Sequence, residues 1–276
     1  MNRFDDAPYD RLDVSADDRR RGGGPGTAVI VGIVVVVLAA LVGGYLYNRN
    51  RTAKPEAAPA TTAAEAAPAA AAPAAQEAAE LPTLDASDGV ARELGAAISE
   101  HPQLVSWLDH DNLVRRFVAS TLNLAEGTSP ASHVPFLAPG TGFQVEEIDG
   151  RTFVDPASFR RYDTVTDVLV SIDATAAASV FRRLHPLLEA AYVEVGDPQR
   201  TFDDALADAV GRLVSVPIPA PPIEVIPQDG TFHYADRELE QRTAAEKHLL
   251  RLGPDNARSV QAKLTEFAVA AGIPLP

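Results

Sequence analysis

The chain has no cysteine, one methionine, one tryptophan and only 6% aromatic residues in 276 positions. The missing cysteine excludes disulfides, iron–sulfur clusters, thiol catalysis and cysteine-based zinc sites together. It does not fix the compartment, because an oxidising compartment permits disulfides without requiring them. Basic residues are also short: 24 Lys and Arg face 38 Asp and Glu, for a net charge of −14 and a pI near 4.8. From residue 81 onward there are 16 Lys and Arg against 28 Asp and Glu, a net −12. So acidic a segment repels phosphate backbones, and nucleic acid is not expected as a partner. The same charge argues against the segment lying on an anionic lipid surface.

Standard catalytic patterns are missing too. There is no Gly-x-Ser-x-Gly elbow, no Ser-x-x-Lys pair and no His-Glu-x-x-His helix. The six histidines, at 101, 110, 133, 185, 233 and 248, include no two at i, i+4. Asp109–His110–Asp111 offers metal-type ligands, but adjacent residues on one turn rarely converge on one ion. No metal and no cofactor are expected.

What is present falls into blocks. Residues 1–26 are polar, with six aspartates and the run Gly22–Gly23–Gly24, and read as a disordered tail. Residues 27–47, TAVIVGIVVVVLAALVGGYLY, carry no charge. Roughly 20 such residues span a bilayer core of about 30 Å as a helix. Tyr45 and Tyr47 stand at one end, where amphipathic rings prefer the headgroup level. The run is too long and starts too late for a signal peptide, and arginines follow it. Five arginines precede it, and Arg49, Arg51 and Lys54 follow. Cation counting therefore favours a cytoplasmic N-terminus and a periplasmic C-terminal domain, in a single-pass inner-membrane protein. Residues 48–80 are an Ala/Pro-rich spacer, with Pro55, Pro59, Pro68 and Pro73 breaking the helix that alanine favours. As an extended tether its alanine-rich part reaches on the order of 80 Å.

Residues 81–276 have the patterning of one acidic globular domain, α+β in class and mainly α-helical, with two β-hairpins. Ser87 is expected to cap a helix over 87–100, and Pro102 to open another to Leu108. Asp109 or Asp111 then caps a third, which Gly127 ends. Two segments, FQVEEIDGRTFV at 143–154 and IEVIPQDGTFHY at 223–234, place Asp-Gly between β-prone runs. That is the chemistry of a type I′ hairpin turn, which needs positive φ at both central residues. The hairpins resemble each other, which fits a weak internal duplication, two hairpins pairing into one small sheet, or simply the general likeness of Asp-Gly hairpins. Helices are expected over 156–162, 164–171, 173–195 (bent at Pro186), from Thr201 or Asp203 to Val214, over 236–252 and over 255–271.

Three arginine pairs, Arg115–Arg116, Arg160–Arg161 and Arg182–Arg183, are the candidates for an anion pocket in so acidic a domain. Block 155–163, DPASFRRYD, gathers Arg160, Arg161, Tyr162 and Asp163 on a short helix after a hairpin. The alternative for each arginine is a surface ion pair or a stem lying over the core. Trp107 reads as core.

HPQLVSWLDHDNLVRRFV, HVPFLAPGTGFQV, DPASFRRYD, SIDA, LHPLLEAAYVEVGDP, TFDDALADAV and KHLLRLGPDNARSVQAKL occur in that order. As a set they resemble the bacterial domain-of-unknown-function family numbered thirty-fourteen, over essentially residues 81–276. The resemblance implies a Gram-negative, membrane-anchored protein and assigns no catalytic residue. The resulting expectation is a non-enzymatic envelope module that binds a protein or an envelope component. The alternative is an envelope hydrolase or transferase acting on an anionic or cell-wall substrate, which needs Arg160, Tyr162 and two carboxylates to converge.

Overall fold

The computed structural model describes residues 81–276. The tail, the apolar run and the spacer read from the sequence, 1–26, 27–47 and 48–80, lie outside the described residues. Among the described residues no single helix is long and apolar enough to cross a membrane.

The first helix, α1 (Asp88–Ala96), is shorter than its expected span, and Ser87 does not cap it. Ser87 leaves the 3-10 turn Leu84–Ala86 already in helical conformation, whereas a cap needs extended backbone. Its hydroxyl donates backward to the Leu84 carbonyl instead. Helix α2 (Pro102–Leu108) starts at Pro102 as expected, with His101 Nδ1 accepting the Gln103 N–H. Trp107 and Leu108 of α2 are core residues.

Helix α3 (Leu113–Ala125) corrects the sequence reading at its start. Neither Asp109 nor Asp111 caps it. Asn112 stands before it in left-handed conformation (φ 59°, ψ 38°) and gives no side-chain cap. Asp88, from the first turn of α1, accepts the Asn112 N–H at 2.7 Å and the Leu113 N–H at 2.8 Å. One carboxylate thus satisfies two orphan donors of a helix that begins 25 residues later, at the end where negative charge is favoured. Gly127, at φ +78°, closes the C-terminal end as expected.

The hairpins form where Asp-Gly placed them. Strands β1 (Val145–Ile148) and β2 (Arg151–Val154) turn at Asp149 (φ 51°) and Gly150 (φ 75°). Strands β3 (Val225–Gln228) and β4 (Thr231–Tyr234) turn at Asp229 (φ 51°) and Gly230 (φ 77°). The hairpins lie side by side. Phe153 bridges Glu224, Val154 N–H donates to the Ile223 carbonyl at 2.9 Å, and Arg151 pairs with the Glu224 carboxylate. Of the readings left open for the hairpins, side-by-side pairing is realised through this one bridge rather than through a continuous four-stranded sheet.

Helices α4 (Pro156–Arg160), capped by Asp155, and α5 (Asp163–Val170) follow. Next come α6 (Ala174–Val195), capped by Asp173, and α7 (Phe202–Val214), whose Thr201–Asp204 capping box settles its start. Helix α6 runs on through Pro186. Helices α5 and α6 meet at 80°. At that corner Ser171 Oγ donates to the Val168 carbonyl, so it accepts from Ser99 Oγ, which itself accepts the His101 N–H. These hydroxyls form a closed structural relay.

The helix expected over 236–252 is two helices, α8 (Arg237–Glu240) and α9 (Ala244–Arg251). The break is chemical. Thr243 and Glu246 form a full capping box, which starts a new N-terminus inside the run. Helix α10 (Pro254–Ala271) ends at Gly272 in left-handed conformation.

The core lies among α3, α6, α7 and α10. Phe117 of α3 meets Phe202 of α7 edge-on at 5.4 Å, and Phe181 of α6 meets Phe267 of α10 at 6.2 Å. Each ring is fully or almost fully buried. Burying one such side chain is worth about 1.5–3 kcal/mol, and the edge-to-face geometry adds about 0.5–1.5 kcal/mol.

Candidate functional site

The three arginine pairs sit in three different settings. Arg115 grips both Glu194 oxygens, at 2.7 and 2.8 Å, and Asp85 at 2.7 Å. These partners raise its pKa, and the Arg115 hydrogen bond holds Glu194 below the usual carboxylate range. Arg116 donates to the carbonyls of Asp111 and His133. Burial, then the Arg116 charge, lowers the His133 pKa. Arg182 is exposed and reaches the Ala270 carbonyl near the end of α10, while Arg183 on the same helix is half-buried. Both 115–116 and 182–183 are therefore tied to local carboxylates or carbonyls, or stand at the surface. They share no partner with 160–161.

The 160–163 block divides. Arg160 is exposed. Asp163, also exposed, accepts from Asn256 Nδ2 at 2.9 Å. Arg161 and Tyr162 turn inward from the α4–α5 junction. Arg161 Nε donates to the Ser158 carbonyl (2.8 Å), Nη1 to the Thr141 carbonyl (2.9 Å) and Nη2 to Tyr162 Oη (3.2 Å). Its guanidinium lies over the rings of Tyr162, at 5.0 Å, and Phe143, at 5.7 Å. Such stacking suits a planar guanidinium held out of bulk water.

Three elements that the sequence reading did not connect complete this region. Strand β4 brings His233 and Tyr234, α8 brings Glu240, and α9 brings Lys247, His248 and Arg251. Lys247, His248 and Arg251 are all buried. Glu240 is the hub. It accepts the Tyr234 N–H at 2.9 Å and Lys247 Nζ at 2.7 Å, and lies 3.1 Å from His233 Nδ1. Burial alone would raise its carboxyl, but Lys247, the Tyr234 amide and His233 together outweigh burial and hold it low. Arg251, which has interactions of its own, is close enough to Arg161, Tyr162 and Tyr234 to act on their charge states.

Burial pushes the Tyr162 hydroxyl up, and pushes Tyr234 up to about 12, so both phenols stay protonated. Burial likewise lowers the Arg161 pKa, with Arg251 acting in the same direction. The region therefore offers hydrogen-bond donors and positive charge. Of the carboxylates that the hydrolase reading wants beside Tyr162, Asp163 faces solvent and Glu240 is already bonded to Lys247, the Tyr234 amide and His233.

A sequence signal for the missing members did exist. Lys247 and Arg251 stand at i, i+4 within KHLLR, on one face of a helix flanked by Leu249 and Leu250. On an amphipathic helix that face reads as solvated, and only the tertiary packing of α9, which meets α7 and α10, turns it inward.

No curated protein and no solved structure matches the chain. A family model does, over residues 113–268, more than half of its length. By that match the chain belongs to the protein family of unknown function DUF3014.

Proposed function

We propose that the protein is a single-pass, membrane-anchored binding module of the cell envelope. Residues 27–47 are its span and residues 48–80 its tether. The N-terminus is cytoplasmic, and the domain from residue 81 is periplasmic. There the domain takes an anionic group, carried by a partner protein or an envelope component, on Arg161.

One observation carries this reading. Arg161 is half-buried and makes no ion pair among the described residues; its three hydrogen bonds go to two carbonyls and a phenol. A guanidinium has five N–H donors, so two remain for a ligand. An arginine in that position is matched by a planar anion such as a carboxylate or phosphate group. Exposed Thr141 and half-buried Phe143 border it, which supports access from the loop side.

Two measurements test the two halves of the proposal. Thermal unfolding of the full-length chain in detergent, at constant ionic strength, is expected to shift upward when inorganic phosphate replaces chloride. Arg161→Gln should remove most of that shift, whereas Arg160→Gln should keep it. Equal shifts in wild type and Arg161→Gln would end the anion-site reading. A periplasm-active phosphatase fused after Pro276 should be active in intact cells. An inactive fusion, with a cytoplasmic reporter active at the same position, would reverse the orientation.

A further inference from the structure

Away from the arginine region, α6 and α7 bring together three side chains of metal-ligating type. We propose that His185, Glu189 and Asp203 form a binding site for a divalent transition-metal ion, with zinc the best match. Its protein ligands would be the imidazole Nε2 and one oxygen from each carboxylate.

The geometry comes first. His185 Nε2 lies 3.0 Å from Asp203 Oδ1 and 3.6 Å from Glu189 Oε1, and the three ligand atoms are all within 4.8 Å of one another. A tetrahedral ion with ligands at about 2.0–2.1 Å has ligand–ligand edges of roughly 3.3–3.4 Å. The two shorter separations straddle that value, so small side-chain rotations suffice to enclose an ion. With a neutral imidazole the set carries two negative charges, which a divalent ion neutralises. A nitrogen with two hard oxygens suits zinc and its first-row neighbours rather than calcium or magnesium, which take oxygen alone.

The supports around the ligands are the second argument. His185 and Glu189 are one turn apart on α6, so they share a face. The Phe181 ring, one turn earlier, meets the His185 ring edge-on at 5.7 Å and 88° and restricts its rotation. The Phe202 N–H donates to Glu189 Oε1 at 3.1 Å, which orients that carboxylate and leaves it a lone pair. Asp203 follows Phe202, whose ring is fully buried, so its backbone is anchored in the core. Asp203 is also not the α7 cap, because Thr201 and Asp204 fill that role. Side-chain exposures of 35%, 30% and 57% leave the site open to an ion from solvent. Three protein ligands also leave a fourth position for water or a partner's side chain. The sequence reading passed over this set because it looked for two histidines at i, i+4, whereas here the i, i+4 pair is His–Glu and the third ligand follows a turn.

The competing account is a protonated His185 that only bridges the two carboxylates. Equilibrium dialysis of the full-length chain in detergent, stripped with chelator and then exposed to zinc chloride, separates the two. One zinc per chain is expected. His185→Ala and Asp203→Asn should each weaken it by roughly tenfold or more, comparable to or beyond losses from disturbing a metal's outer shell. His110→Ala should leave it unchanged. Absence of bound zinc, or zinc bound equally by wild type and Asp203→Asn, would overturn the site and leave an ion pair only. Asp203 is exposed, so that variant decides the question even if His185→Ala folds poorly.

Discussion

Replacing Gly253 with alanine lowers the stability of the domain by about 3–5 kcal/mol. Gly253 joins α9 to α10 at φ +85° and ψ 163°, a region of backbone space that is essentially glycine's alone. A Cβ built there would lie 2.4 Å from Cγ and 2.6 Å from Cβ of Phe159. Neither atom is the free end of a flexible chain, so α4 or the α9–α10 junction must move. The conformational penalty alone is about 1–3 kcal/mol, and overpacking adds a similar amount. Denaturant unfolding of Gly253→Ala against wild type measures it. Gly89→Ala is the control, because a Cβ at Gly89, in the first turn of α1, meets nothing within 4 Å. A loss below about 1 kcal/mol for Gly253→Ala would show that the junction yields freely. Phe159 is two residues from Arg161, and α9 carries Arg251. The same variant should therefore also weaken the phosphate-dependent stabilisation proposed above.

Acid should destabilise the domain in two stages, the first set by His248. That imidazole is fully buried, and burial, then the nearby Arg251 charge, holds its pKa well below the ordinary value. The folded protein keeps His248 neutral, while the unfolded chain protonates it near pH 6.5. For a depressed pKa the stabilisation is complete above the unfolded value and is lost as pH falls below it. One proton is worth at most about 1.4 kcal/mol per pH unit, so at most about 2 kcal/mol goes between pH 6.5 and 5. The second stage begins near pH 4.3, the ordinary glutamate value, as depressed Glu240 and Glu246 protonate. Unfolding free energies at pH 7.5 and 5.0 test the first stage. His248→Gln, which can still bond to Ser129 Oγ, should flatten it. The same fall in both proteins would assign the loss to other groups.

How far the fold could be read from the sequence depended on how local its determinants were. The Asp149–Gly150 and Asp229–Gly230 turns were legible because positive φ at two successive positions is a property of those two residues. The Asp173 cap was legible for the same reason, and Thr201 was one of the two starts left open for α7. The cap of α3 was not, because Asp88 supplies it from another helix and no spacing rule connects residue 88 to residue 112. The break between α8 and α9 was a different kind of miss. Thr243 followed three residues later by Glu246 spells a capping box, and the apolar spacing of 236–252 masked it. At the arginine site, Arg161 and Tyr162 were visible as a concentration of polar groups beside a hairpin. Glu240, Lys247 and Arg251 were not, since only tertiary packing decides which face of α9 is buried.

The Asp88 clasp also has a mechanical side. Any pull transmitted along the chain from residue 80 reaches the domain at Leu81, close to Asp85 and Asp88. After the packing of Leu81 and Leu84 on the core, the first polar contacts to bear that load are the Asp85–Arg115 pair, which continues to Glu194 at the far end of α6, and the twin bonds from Asp88 to the start of α3. The exposed ion pair yields easily. The carboxylate clasp has to lose both bonds before α1 can peel away. Tension is thus passed into the core helices α3 and α6, whereas Arg161 sits on the hairpin side, off that line of force. If residues 48–80 act as the tether proposed above, tension on them would leave that site in shape.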